Sequence, residues 1–234
     1  MSNGQKAVSQ ASFTSRACED GVESSESKNQ RTRGDFRRDL EAYYLKHYGT
    51  TSPGIGSRIK LWAKEFGLHC VAVYRFGWFA RRLSKKNRII AAPFLLAHTL
   101  LNYLAIFFHH VHINKAEIGP GFTLEHVGTI LIGPTTIGRN FRVAHNVTIG
   151  WGHSDEKPGL PVIGDNVYIG TGSVVYGGIT VGNGSTICNG CILSRVIPDN
   201  SLVAGNPGRV VKLGYDNRHI FLPPKEGLEA NPEA

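Results

Sequence analysis

The sequence predicts a mainly β protein: a left-handed parallel β-helix, preceded by a small α-helical domain and a disordered N-terminal segment. Three observations carry this reading. An aliphatic residue recurs at every sixth position through Ile163, Ile169, Val175, Val181, Ile187 and Leu193. Glycine, at 28 of 234 residues, exceeds ordinary usage and falls mostly after residue 118, as a turn-rich architecture requires. Before that point the pattern is helical, and before residue 34 it is polar.

Residues 1–33 are rich in Ser, Glu, Gln and Arg and hold too few apolar side chains to offset the entropy of ordering, so they are expected to be disordered. No apolar secretory core lies among them, and a cytoplasmic location is expected. Residues 34–115 form the α-helical region. Phe36, Leu40, Tyr43, Tyr44 and His47 fall at helical spacing. Pro53, Gly54 and Gly56 mark a loop. Ser57 then reads as the N-cap of a helix running towards Leu83, with Trp62, Phe66, Tyr74, Phe76, Trp78 and Phe79 along it. The stretch Ile89–Phe108 is the most apolar in the chain and long enough for a membrane span. Because it carries Pro93, His98, Asn102 and Tyr103, a buried helix is the expectation. The alternatives are a true span, or a helix lying on an anionic membrane surface, since Arg81, Arg82, Lys85, Lys86 and Arg88 precede it.

Residues 116–212 are the β-helix. Neither a helix nor an ordinary strand repeats every six residues, whereas a parallel β-helix with three short faces per coil does. Upstream, Ile137, Val143 and Ile149 keep the same step, as do Ile118 and Leu124. Glycine follows the aliphatic residue at Ile118, Ile132, Ile137, Ile149, Ile163, Ile169 and Val181. The register breaks near Val127–Ile132 and again over Trp151–Pro161, and insertions in solenoids become loops, often on the binding side. Residues 213–234 are a C-terminal tail.

A formal net charge of +8 suits anionic partners: nucleic acid, an anionic membrane or a phosphorylated cofactor. Nucleic acid is set aside, because the basic residues cluster in the helical segment without an aromatic recognition motif. Cys18, Cys70, Cys188 and Cys191 are too few and scattered for a disulfide framework, and Cys188-x-x-Cys191 sits within a coil, where packing explains it. No histidine or cysteine spacing supports zinc, and no metal is expected.

The stretch Ala116–Val211 resembles the hexapeptide-repeat acyltransferases, in their serine acetyltransferase-like branch. Ile118 to Gly133 is similar to the coil in which that branch carries an Asp-His pair, here Glu125-His126. Val147-Thr148-Ile149-Gly150 is similar to its Val-Thr-Leu-Gly step, and Ala204-Gly205-Asn206-Pro207-Gly208-Arg209 to the closing Ala-Gly-x-Pro-Ala-Arg motif. The helical segment loosely resembles exopolysaccharide-cluster members. The resemblance implies acetyl transfer from acetyl-CoA to a hydroxyl, in a homotrimer with sites between neighbouring β-helices. It implies that His126 is the general base, a role that a neutral imidazole fills near pH 7, with coil-turn N–H groups stabilising the oxyanion. It places Gly170, Thr171 and Asn189 along the pantetheine arm and Arg209 at a CoA phosphate.

His145, about one coil after His126, is either a second catalytic residue or a surface residue, and His153 in the inserted loop resembles by position a loop histidine of maltose-type acetyltransferases. Two departures bear on the acceptor. Val111-His112-Ile113-Asn114 holds no carboxylate where the branch carries an orienting Asp, and Gly159-Leu160-Pro161 replaces Arg-His-Pro. Glu125, next to His126, is a poor direct orienter because neighbouring strand residues face opposite sides. Both departures favour a saccharide of polysaccharide or glycolipid biosynthesis as acceptor. The alternatives are serine O-acetylation for cysteine biosynthesis and a non-catalytic β-helix scaffold. Peripheral contact of the helical region with the inner face of the membrane is a further expectation.

Overall fold

The computed structural model describes residues 36–154 and 157–222. The expected disorder of residues 1–33 and most of the expected tail lie outside these. Four helices come first: α1 (Phe36–Tyr48), α2 (Ile55–Lys64), α3 (Phe66–Lys86) and α4 (Arg88–His109). The single helix expected from Ser57 is two, because Glu65 leaves helical geometry (φ −96°, ψ 87°) between α2 and α3. Gly54, not Ser57, holds the N-cap position of α2. Asn87 caps α4, its side chain accepting from the N–H groups of Ile89 and Ile90.

The expectation of a buried α4 is corrected. Only Ala91 and Ala105 are buried, because α4 packs on one neighbour, α3, and exposes the rest of its surface. The two helices approach so closely that a Cβ at Gly77 would come within 2.4 Å of the His98 ring.

The β-region is a three-sheet parallel solenoid of about five coils. Sheet A stacks β1 (Val111–Ile113), β4 (Ile130–Ile132), β7 (Val147–Gly150), β10 (Val174–Tyr176) and β13 (Ile192–Leu193). Sheet B stacks β2 (Glu117–Ile118), β5 (Thr136–Ile137), β8 (Val162–Ile163) and β11 (Thr180–Val181). Sheet C stacks β3 (Thr123–Glu125), β6 (Arg142–Ala144), β9 (Tyr168–Ile169), β12 (Thr186–Ile187) and β14 (Ser201–Ala204). The first solenoid strand thus precedes residue 116: Val111 is buried and pairs with Ile130. The six-residue series points inward as its period requires, with Ile163, Ile169, Val175, Val181, Ile187 and Leu193 all at most 2% exposed. The corner from sheet B to sheet C is turned by Asn140, Asn166, Gly184 and Asn200, with φ between 52° and 65°, where Asn and Gly are tolerated best.

The helices close the solenoid's first coil, whose strands would otherwise present unpaired backbone groups. The Tyr43 hydroxyl donates to Leu124 O and accepts from Leu124 N, so one side chain satisfies β3 as a further coil would. Tyr74 does the same for β2, donating to Ala116 O and accepting from Ile118 N. Between them, fully buried Asp39 accepts from the N–H groups of Gly121 and Phe122 and is held by Arg75 at 2.7 Å. Arg75 also donates to the carbonyls of Ile118 and Gly119. At the far end β15 (Arg209–Leu213) turns back antiparallel on β14. Residues 213–222 do not leave as a free tail. Asn217 is buried, donating to Asn166 O, and α5 (Arg218–Phe221) lies against Arg142.

Candidate active site

One corner of the solenoid, from sheet C to sheet A, gathers the residues singled out in the sequence. Strand register defines the row. Glu125 pairs with Ala144, so His126 stacks on His145. Val143 pairs with Ile169, and Ile169 with Ile187, so His145 stacks on Thr171 and Thr171 on Asn189. Ile187 pairs with Val203, which brings Gly205 to the end of the row. Coil-to-coil hydrogen bonds confirm the stacking: Gly172 N donates to His145 O, Gly190 N to Thr171 O, and Thr171 N to the Asn189 side-chain oxygen. With a strand spacing of roughly 4.8 Å per coil, His126 to Asn189 spans on the order of 14 Å.

The imidazoles of His126 and His145 meet edge to face, with ring centroids 6.0 Å apart. His126 is exposed on a left-handed backbone (φ 58°), which projects it from the corner, and His145 is half-buried beside it. His145 Nδ1 is buried and has no hydrogen-bond partner among the described residues. Gly128 makes room here, since a Cβ there would lie 3.1 Å from His145 Cβ. The break at Val127–Ile132 is therefore the longer corner that carries His126.

Glu125 faces the outer side of sheet C, away from the core. Lys46 of α1 lies 3.4 Å from its carboxylate and Arg142 3.5 Å away. Tyr168 joins them: burial pushes its phenol up, and the Glu125 carboxylate adds to the shift, so the phenol stays protonated as a donor. Arg142 is shifted down by burial, which Glu125 opposes. This cluster ties down the residue before His126. Spacing alone could not reveal it, because Lys46 comes from the helical region.

The cofactor candidates divide. Thr171 and Asn189 project from the row, and Asn189 is exposed. Gly170 is buried beneath the Asn189 carboxamide, where a Cβ would come within 2.2 Å of Oδ1, so it permits stacking rather than offering a ligand contact. Arg209 is exposed on β15, paired with Ala204 beside the end of the row. The N–H groups of Gly170, Thr171, Gly172 and Gly190 all donate within the solenoid, so the oxyanion donors expected from coil turns are not among these four.

The inserted loop leaves from the opposite end of sheet A, with Gly152, Ser154 and Lys157 packed over Tyr176–Gly178, so His153 meets Trp151 edge to face (ring centroids 4.9 Å apart) and is not brought to the row of its own chain. Cys188 and Cys191 are free thiols, and burial pushes the Cys191 thiol up to about 11. Among the described residues no group of three His, Cys, Asp or Glu side chains could hold a metal.

Comparison with known proteins gives this geometry a setting. The family signature described as bacterial transferase hexapeptide (six repeats) matches residues 161–195. Serine acetyltransferase of Bacillus licheniformis is 34% identical over 178 residues, covering 73% of this chain and 78% of the relative. That of Bacillus subtilis is 35% identical over 164 residues, covering 67% and 71%. Among solved structures, serine acetyltransferase of Neisseria gonorrhoeae in complex with serine superposes with a TM-score of 0.57. It covers 80% of this chain and 70% of that one at 24% identity, a likeness of fold.

Proposed function

We propose that this chain, which belongs to the serine acetyltransferase-like branch of the hexapeptide-repeat acyltransferases, is an acetyl-CoA-dependent O-acetyltransferase whose acceptor is L-serine. The observation that carries the reading is the single corner row holding His126, His145, Thr171 and Asn189. Neutral His126 removes the acceptor hydroxyl proton as the oxygen attacks the thioester carbonyl carbon. The tetrahedral intermediate then collapses, the C–S bond breaks, and the CoA sulfur takes the proton from the imidazolium. His145, in edge contact with His126, fixes the ring or meets the acceptor. Exposed Arg209 at the end of the row suits a phosphate of CoA. The reading includes a homotrimer in which a neighbouring chain closes the row.

The saccharide acceptor expected from the two sequence departures has no support from the relatives compared, which are named serine acetyltransferases. Serine takes its place.

The test is thiol release from acetyl-CoA with L-serine and a panel of sugars. Release with serine, reduced by roughly 10²–10⁴ in His126→Ala, is the expected result. Release only with a sugar would restore the saccharide acceptor. No release with any acceptor, together with no CoA binding, would make the chain a scaffold.

A further inference from the structure

The polarity of α4 is inverted. The residues turned towards α3 include the polar His98, Asn102 and His109, at helical spacing with buried Ala91 and Ala105, while Thr99 and Tyr103 are the uncharged polar residues on the exposed side. The outward flank is apolar: Ile89, Leu96, Leu100, Leu104, Phe107 and Phe108 are 43–85% exposed. No charged residue lies between Ile89 and Phe108. Exposed Leu and Phe over a whole helix cost free energy in water unless something covers them. Between α3 and α4 a cleft of about 150 Å³, lined by Val73, Leu101, Leu104 and Phe108, opens on this side.

Charge identifies the cover. At the turn of the α3–α4 hairpin, Arg82, Lys85, Lys86 and Arg88 are exposed, with Arg81 half-buried over Trp78. A second copy of this hairpin would bring like charges towards the contact, with no charged group on the flank to set a register. An anionic bilayer meets both features, taking the apolar flank into its interface and the cations among its head groups.

Among the described helices α4 alone has the length and composition of a span. Yet it packs along α3, with Phe94 against Phe76 and His98 over Gly77. α3 in turn carries Arg75, locked to Asp39 and to the first solenoid coil. α4 could not thread a bilayer without α3, so contact along its flank is the arrangement this packing favours.

We propose that the outer flank of α4, with the basic turn before it, is a docking surface for an anionic lipid bilayer, which the protein binds peripherally. This goes beyond acetyl transfer and does not depend on the acceptor.

The experiment is flotation of the full chain with vesicles of phosphatidylcholine alone and of phosphatidylcholine mixed with phosphatidylglycerol. Binding is expected to the mixed vesicles, weakening as salt rises. Leu96→Glu/Leu100→Glu should weaken it on the order of a hundredfold, and Lys85→Glu/Lys86→Glu by roughly tenfold or more. Both variants should keep the wild-type circular dichroism and melting temperature, because Leu96, Leu100, Lys85 and Lys86 are all exposed side chains. Failure of the wild type to float with mixed vesicles would overturn the proposal. So would flotation unchanged in both variants. A wild type that does not float, but whose sedimentation mass drops in Leu96→Glu/Leu100→Glu, would assign the flank to contact between copies instead.

Discussion

Tyr43→Phe removes one oxygen from a side chain that is fully buried. Burial pushes the Tyr43 phenol well above its ordinary value, so the O–H is protonated and donates at every working pH. Its loss strands two backbone groups of β3: Leu124 N, which donates to it at 2.9 Å, and Leu124 O, which accepts at 3.3 Å. Water cannot replace the hydroxyl at a site closed by α1, α3 and the core. Each stranded group costs about 1–3 kcal/mol, and the longer bond places its share at the low end, giving about 2–4 kcal/mol in all. For a chain of this size that lowers the melting temperature by roughly 5–15 °C. Tyr48→Phe is the control. Its hydroxyl donates to Ser57 O at 2.9 Å in a half-buried place that water reaches, so its loss should cost only about 0.5–1.5 kcal/mol. Thermal unfolding followed by circular dichroism compares the two. If Tyr43→Phe melts no lower than Tyr48→Phe, the hydroxyl does not stand in for a missing coil, and the account of the helical cap is wrong.

Two further predictions concern pH and the closing turn. Burial, with Arg81 adding to it, lowers the folded-state value of His98 below the ordinary 6.5, so the unfolded chain binds the proton more readily. Stability should therefore fall as pH drops through and below about 6.5, and His98→Leu should flatten part of that slope in melts between pH 7 and 5; an unchanged slope would exonerate His98. At Gly208 a Cβ would lie 2.7 Å from Cys191 Sγ, so Gly208→Ala should destabilise by about 1–3 kcal/mol, and by clearly less in a Cys191→Ala background. Equal costs in both backgrounds would mean the sulfur is not what excludes the methyl group.

The solenoid was legible because a period of six admits few architectures, and the inward residues of the series Ile163, Ile169, Val175, Val181, Ile187 and Leu193 are all aliphatic. The last prediction has the same root: where the family pattern carries Ala, Gly208 is matched to the sulfur of Cys191 one coil away. What could not be read were contacts between distant segments. Tyr43, Tyr74, Asp39 and Arg75 look like ordinary helix residues until the first coil is placed against them. α4 was misread for a different reason. Its overall hydropathy suggested burial, yet His98, Asn102, Ala105 and His109 already marked the side that packs, at spacings of three and four residues. The row was half legible: His126 and His145 could be placed one coil apart, but the Trp151–Pro161 insertion hid that Thr171 and Asn189 continue it.

The architecture keeps fold and chemistry on different atoms. Stacking depends on inward aliphatic side chains and on a backbone ladder that runs through the corner itself, from Gly172 N to His145 O and from Gly190 N to Thr171 O. The side chains of His126 and His145 take no part in that ladder, so they are carried by the corner without building it. Asn189 differs. Its side-chain oxygen accepts from Thr171 N and covers Gly170, which leaves a cofactor candidate also doing structural duty. Substitution of His126 should therefore remove activity with the melting temperature unchanged, whereas substitution of Asn189 should lower both, since the corner amide of Thr171 loses its acceptor.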